Sequence, residues 1–263
     1  MRFISILFVV LVLGCSSGRN KISISTLKLN CQHLSSQISI DKPYFDSIQA
    51  IISTYNSDLF IFKQTQFSSN CTQVIEDKGY RFIPVYSTED DSSVVSAPII
   101  IKTSSIEVLG RSYFIYTEDF LLEEKNIVEW FKLKSKSTGH IFYLFNIQLQ
   151  DSLTPYLNKK IAYSLLKRID NVSAGLPVIV LGDFIYENSE ISKVMTGDWV
   201  NVFPLKEIKS GVSSDFLVND FFKVIRSNRK QTNDSLVNNM VVKFLLNTQK
   251  INKSTDGGVI PEM

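Results

Sequence analysis

The chain has 263 residues, 44% of them hydrophobic and 21% charged, with 28 basic residues against 26 acidic ones and a formal net charge of +2. That balance suits one large globular domain with a sizeable core, a length that α/β and all-β layers often reach. No long run of a single sign occurs, so charge alone argues for neither a nucleic-acid partner nor an anionic membrane surface.

Residues 1–14 stand apart. Arg2 gives a positive start, and Ile4–Leu13 is an apolar run too short to span a bilayer as a stable helix. It ends in Val12-Leu-Gly-Cys15, which resembles a bacterial lipobox with Cys15 as the acylated first residue of the mature chain. A single-pass anchor and an ordinary signal peptide are the competing readings. The small Gly14 directly before Cys15, and Ser16, Ser17 and Gly18 after it, favour the lipobox. The leader holds one basic residue, Arg2, and no acidic one, so its removal takes the net charge from +2 to +1. Residues 15–20 are then a tether, and the expected place is the bacterial cell envelope, lipid-anchored. Ser16 is not an acidic retention signal, which favours the outer membrane in a diderm. Export makes Cys31 and Cys71 disulfide candidates, with two buried free thiols an equal alternative. A bridge would close a loop of about forty residues and contribute roughly 3–4 kcal/mol in the chain-entropy model.

Residues 21–247 read as the folded domain. Ile22, Ile24 and Leu27–Leu29 form a first strand. Apolar residues at helical spacing (Phe45, Ile48, Ile51, Ile52 and Tyr55) predict a helix over Phe45–Tyr55, and Asp58–Phe62 follows as a buried strand. Arg81–Tyr86, Ala97–Lys102, Ile106–Leu109 and Tyr113–Tyr116 are short and rich in β-branched and aromatic residues, so they read as strands. Between the first two lies a polar loop, Ser87–Ser93, with Glu89, Asp90 and Asp91. Val128–Lys134 and His140–Gln148 pair as a hairpin turned through Ser135–Gly139. Ile161–Val172 reads as a helix. Val178–Leu181 is a continuous apolar run, the mark of a strand covered on both faces. Gly182 then ends it and leaves Asp183 in a turn at a carboxyl end, where layered α/β proteins concentrate their chemistry. A short helix near Glu190–Met195 precedes strand-like Phe216–Ile225 and Val237–Leu246, and residues 248–263 are a polar tail. No repeat or linker marks a second domain. Two βαβ-like halves separated by hairpins predict two packed sheets with helices outside. A single doubly wound sheet is the competing architecture, and the central hairpins argue against it.

Five segments carry a family resemblance. Val95-Ser-Ala-Pro-Ile-Ile-Ile101 is similar to a Glu-Phe-Ser-Pro-Ile-Phe-Tyr motif, and Ile106–Tyr116 to a run ending in Phe-Trp-Leu-Ser. Trp130-Phe-Lys-Leu-Lys134 is similar to Trp-Ala-Lys-Leu-Lys, Thr138–Leu149 to a strand ending in Asn-Thr-His-Leu, and Pro177–Ile185 to Pro-Val-Ile-Leu-Thr-Gly-Asp-Phe-Asn. In this order and spacing they resemble bacterial members of the endonuclease/exonuclease/phosphatase superfamily, over about residues 21–245. The resemblance implies an α/β fold, the four-layered DNase I-like sandwich of two packed, mainly antiparallel sheets with helices outside. It also implies divalent-metal-assisted hydrolysis of phosphate esters. There, carboxylate and amide oxygens hold a hard cation such as Mg²⁺ or Mn²⁺, and a His–Asp pair activates water.

Position by position, the chain departs from that chemistry. Lys28, in Thr26-Leu-Lys-Leu29, stands where the family has Asn, and sliding the match would offer Asn30 instead. Gln64 stands for the metal-binding Glu, Gln148 for a His, Ile185 for the Asn after Gly-Asp-Phe, and Val95 for a further Glu. Asn238 and Asn239 stand for the closing Asp-His pair. Asp183 and Asp220 are retained. The two histidines, His33 and His140, fall at no general-base position and read as loop or surface residues. No Cys/His metal spacing, Gly-rich phosphate loop or serine nucleophile elbow supplies another mechanism.

The resemblance therefore implies a membrane-anchored pseudoenzyme without a cofactor, acting as a binding or scaffold protein. Gln64, Gln148, Asn238 and Asn239 would line its former cleft, and Lys28 would take over the cation's role toward an anionic small ligand; nucleic acid is disfavoured. The alternative is a working phosphodiesterase or phosphatase whose Mg²⁺ or Mn²⁺ is held by Asp183 and Asp220, helped by Glu89–Asp91. A third reading is a surface-complex subunit with Tyr113, Phe114, Tyr116 and Phe120 as a contact patch, although core is their commoner fate. Asp183 itself is expected to pair with Lys28 or to cap its turn.

Overall fold

The computed structural model describes residues 21–29, 49–50, 52–63, 75–84, 99–115, 127–148, 154–185, 200–201, 213–218, 222–231 and 237–246. In chain order its strands are β1 (Lys21–Leu29), β2 (Leu59–Lys63), β3 (Tyr80–Ile83), β4 (Ile99–Lys102), β5 (Ile106–Ile115) and β6 (Ile127–Ser135). There follow β7 (Ile141–Gln148), β8 (Val178–Ile185), β9 (Val200–Asn201), β10 (Ser213–Val218), β11 (Phe222–Gln231) and β12 (Val237–Leu246). They build two six-stranded sheets, ordered β11-β12-β1-β2-β4-β3 and β5-β6-β7-β8-β10-β9. Each sheet has one parallel pair at its centre, β1–β2 in the first and β7–β8 in the second. The other pairings are antiparallel. The doubly wound alternative is thereby excluded.

A parallel pair needs a crossover, and helix α1 (Pro155–Ser173) supplies the one between β7 and β8. It starts six residues before the expected Ile161, because the start is set by a cap and not by an apolar stripe. Thr154 Oγ1 accepts from the Leu157 N–H at 3.4 Å, and Pro155 fills the first turn, where no N–H is needed. The Ala174 N–H still donates to the Asp170 carbonyl at 2.9 Å, and the left-handed φ of 50° at Ala174 then turns the chain out of the helix. Its Ile161, Ala162, Leu165 and Ile169 are fully buried against Tyr143, Phe145, Ile147, Val178 and Val180 on the outer face of the second sheet. The opposite alternation of those strands faces the first sheet. Phe131, Leu133, Phe142, Leu144, Ile179 and Leu181 meet Ile22, Leu59, Ile61, Ile99, Ile101 and Phe222 in the central core. Phe142 crosses it edge-on to Phe222, with centroids 6.2 Å apart.

Several predicted boundaries shift for identifiable reasons. Ile106–Leu109 and Tyr113–Tyr116 are not separate strands, since β5 runs unbroken to Ile115 and absorbs a register shift between Val108 and Gly110. Phe216–Ile225 is not one strand, for β10 ends at Val218 and β11 begins at Phe222 in the other sheet. Gly182 does not end β8, which continues to Ile185 with Ile147 and Gln148 of β7 paired to Gly182 and Asp183. The β6–β7 hairpin is as predicted, its turn closed by the Gly139 N–H on the Ser135 carbonyl at 2.7 Å with Gly139 at φ 75°. The predicted helix near Glu190–Met195, the leader and Cys31 and Cys71 lie outside the described residues.

The entrance to β2 carries a polar clamp. Asp58 accepts from the Ser23 N–H at 2.7 Å and the Ser23 hydroxyl at 2.8 Å, which fixes β1 against β2. Next to it the Tyr80 hydroxyl donates to the Ser57 carbonyl at 3.2 Å, with Asn56 Oδ1 at 3.4 Å. Burial, and secondarily the Asp58 charge, pushes the Tyr80 phenol from about 10 up to about 12. Between those values the unfolded chain gives up the proton while the folded chain keeps it. Stability is therefore complete below the unfolded value and falls as pH rises through this window, by on the order of 2 kcal/mol. Denaturation midpoints measured from pH 9 to 12 should show Tyr80→Phe losing less stability with pH than the wild type. Parallel curves would refute the assignment.

Candidate functional site

Two contacts set the relative direction of the sheets. Phe142, at the start of β7, touches Phe222, which pairs with Leu246 beside the Leu245–Lys21 pair that opens β1. Arg111 Nη2 donates to the Pro84 carbonyl at 2.8 Å, just past Ile83. Ile83 is level with Ile99 and so with Ile61, near the end of β2. The same guanidinium binds Glu129, which is level with Asn146 toward the end of β7. The carboxyl ends of both parallel pairs, β1–β2 and β7–β8, thus gather at one end of the sandwich.

Most candidates on described strands come to that end. In the first sheet Lys28 pairs with Asn238 on one side and with Lys63 on the other, and Leu27 pairs with Asn239. In the second sheet Gln148 pairs with Asp183, and Ile185 with Ser213. The alternation that carries Ile179 and Leu181 into the central core runs on to Asp183, and that of Phe142, Leu144 and Asn146 runs on to Gln148. Asp183 is therefore a strand residue. The expectation that it caps a turn is corrected, because the parallel ladder with β7 continues through Gly182 and holds the backbone extended. Lys28 belongs to the other sheet. Gln64, Asp220, Val95, Glu89–Asp91, Tyr116, Phe120 and Cys15 lie outside the described residues. His140 sits in the β6–β7 turn with its N–H on Thr138 Oγ1 at 3.3 Å, eight residues and roughly 26 Å of strand from Gln148.

The sequence reading missed the polar pair beneath this end. Glu129, 1% exposed, accepts from Arg111 Nε at 3.1 Å and Nη2 at 3.0 Å, and the guanidinium also stacks 5.9 Å from the Phe131 ring centre. Asn146, also buried, is its cross-strand neighbour. A signal existed: Glu129 occupies the same alternation as the apolar Phe131 and Leu133, where a carboxylate has to find a cation. Lys63 was missed for the opposite reason. It reads as the polar end of a strand until the register puts it beside Lys28.

A hard divalent cation takes several oxygens and net negative charge. By register this end of the two sheets carries two lysines, Lys28 and Lys63, three amides, Gln148, Asn238 and Asn239, and two carboxylates, Asp183 and Asp215, while Glu129 is already engaged by Arg111. Among the described residues no group of three or more His, Cys, Asp or Glu side chains is placed to hold a metal.

No protein-family model matches the chain, and no curated protein sequence does either. Its backbone is nevertheless similar to many solved structures. An endonuclease/exonuclease/phosphatase from Bacteroides vulgatus superposes with a TM-score of 0.66 at 17% identity, over 86% of this chain and 99% of that one. The human Nocturnin catalytic domain with bound sulfate gives 0.67 at 14% identity, over 87% and 95%. A mannosyl-6-phosphatase from Bacteroides thetaiotaomicron gives 0.59 at 15% identity, over 86% and 99%. The two-sheet DNase I-like fold expected from the sequence is the fold of this chain.

Proposed function

We propose that this chain, with the endonuclease/exonuclease/phosphatase fold, is a catalytically inactive envelope protein, lipid-anchored through Cys15. Its former active-site end binds an anionic group in place of a metal. One observation carries the reading: Lys28 lies in register with both Lys63 and Asn238 at the carboxyl end of the central parallel pair. Two cations stand there where a cation-binding site would need carboxylates. The family's water-activating Asp–His pair is replaced by Asn238 and Asn239, whose amides cannot accept a proton at neutral pH, and His140 lies at the far end of β7. Asp183 keeps its place, level with Gln148 on the paired β7 strand.

The test has two arms on purified protein. Phosphodiester and phosphomonoester substrates with Mg²⁺ or Mn²⁺ should show no metal-dependent release. Calorimetric titration with sugar phosphates should show binding that Lys28→Ala weakens at least tenfold, a charge-assisted hydrogen bond being worth about 1.5–3 kcal/mol. Metal-dependent turnover abolished by Asp183→Asn would overturn the inactive assignment. Absence of heat with every phosphorylated ligand would overturn the anion site alone.

A further inference from the structure

The solvent face of α1 is built unlike the rest of the described surface. At 3.6 residues per turn, Tyr156, Lys160, Tyr163 and Lys167 follow one another along a single stripe, with Lys159 and Asp170 at its margin. It lies opposite the Ile161, Leu165 and Ile169 face that packs on the second sheet. Tyr156 is 69% exposed and Tyr163 57% exposed, two of the three large hydrophobic residues exposed among those described. Lys159, Lys160, Lys167 and Asp170 are exposed as well. The Lys160 ammonium sits 4.7 Å from the Tyr156 ring centre, so ring and charge share one patch. The helix's other basic residue, Arg168, is turned away: it donates to the Ile115 carbonyl at 2.9 Å and stacks over Phe114.

We infer that this face docks on an anionic lipid surface. Tyrosine rings prefer the headgroup level, where the body is apolar and the hydroxyl wet, and lysines beside them meet the negative leaflet charge. The stripe runs about 20 Å along the helix and carries three lysines against one aspartate, a local excess that the near-neutral chain as a whole conceals. No helix of the described residues is long and apolar enough to cross a membrane, so α1 would lie on the surface through its side chains. The inference does not depend on acylation or on the anion site, since α1 covers the outer face of the second sheet.

Amine-reactive footprinting of the full chain, with Cys15→Ser to remove any acyl contribution, tests it. Phosphatidylglycerol vesicles should slow labelling of Lys159, Lys160 and Lys167 severalfold and leave the exposed Lys78 and Lys136 unchanged. Phosphatidylcholine vesicles should protect none of them. Tyr156→Ser with Tyr163→Ser should abolish the protection, and those exposed positions leave the core intact, which circular dichroism checks. Equal labelling with and without anionic vesicles overturns the proposal. Uniform protection of all lysines overturns it too, because the contact would then not belong to α1.

Discussion

Phe142→Ala should lower the unfolding free energy by about 3–5 kcal/mol, the usual cost of deleting a large aromatic from a closed core. Phe142 is fully buried in the core between the sheets, and its ring meets Phe222 across them. Backbone pairing fixes β7 between β6 and β8, so the space left behind cannot collapse by moving one strand. A domain of this kind has roughly 5–15 kcal/mol in total, which puts the variant close to unfolding at physiological temperature. Chemical denaturation should show a lower midpoint with an unchanged slope, and Phe142→Leu should lose much less. A variant within about 1 kcal/mol of wild type would mean that the two sheets are not packed through this ring.

The second large effect concerns the buried ion pair. Arg111→Met removes the cation that lies 3.0 Å from a carboxylate with 1% exposure, and it removes the hydrogen bond to the Pro84 carbonyl. Leaving Glu129 to face the core without that partner should cost about 3–5 kcal/mol. The burden is electrostatic, so it has a signature that packing loss lacks. Glu129 in the variant takes up a proton more readily, and lowering the pH toward 5 should restore part of the lost stability. Arg111→Met combined with Glu129→Leu should recover most of it, since an apolar pair of similar size satisfies the same space. Failure of both rescues would show that the cost does not come from the charge left on Glu129.

The fold was legible because its signals are local and repeated. Val237–Leu246 and the β6–β7 hairpin stand almost where alternation and turn chemistry put them. The misplacements share one cause, which is pairing with a distant strand overriding a local stop. Gly182 reads as a terminator, yet β7 on one side and β10 on the other hold it in the ladder. The break read after Leu109 is a register shift between Val108 and Gly110 inside one strand. For the site, the sequence identified what stands at family positions but not what stands next to them. Lys28 was visible as a substitution; that Lys63 is its neighbour follows only from a parallel register set by the Ser23–Asp58 clamp. Glu129 and Arg111, eighteen residues apart in the chain, meet only once β5 has folded onto β6.

The pairing of β1 with β12 has a kinetic consequence. Lys21 finds its partner at Leu245, so the first strand of the domain cannot be sealed on that side until the last one has been made and delivered. Contacts this far apart in the chain are slow to form, and the two sheets mature unequally. The second sheet closes over a span from Ile106 to Val218, whereas the first must hold β1 and β2 together, through the Ser23–Asp58 clamp, while it waits. A chain released early would leave β1 with an open edge, the form most exposed to proteases and to pairing with another copy.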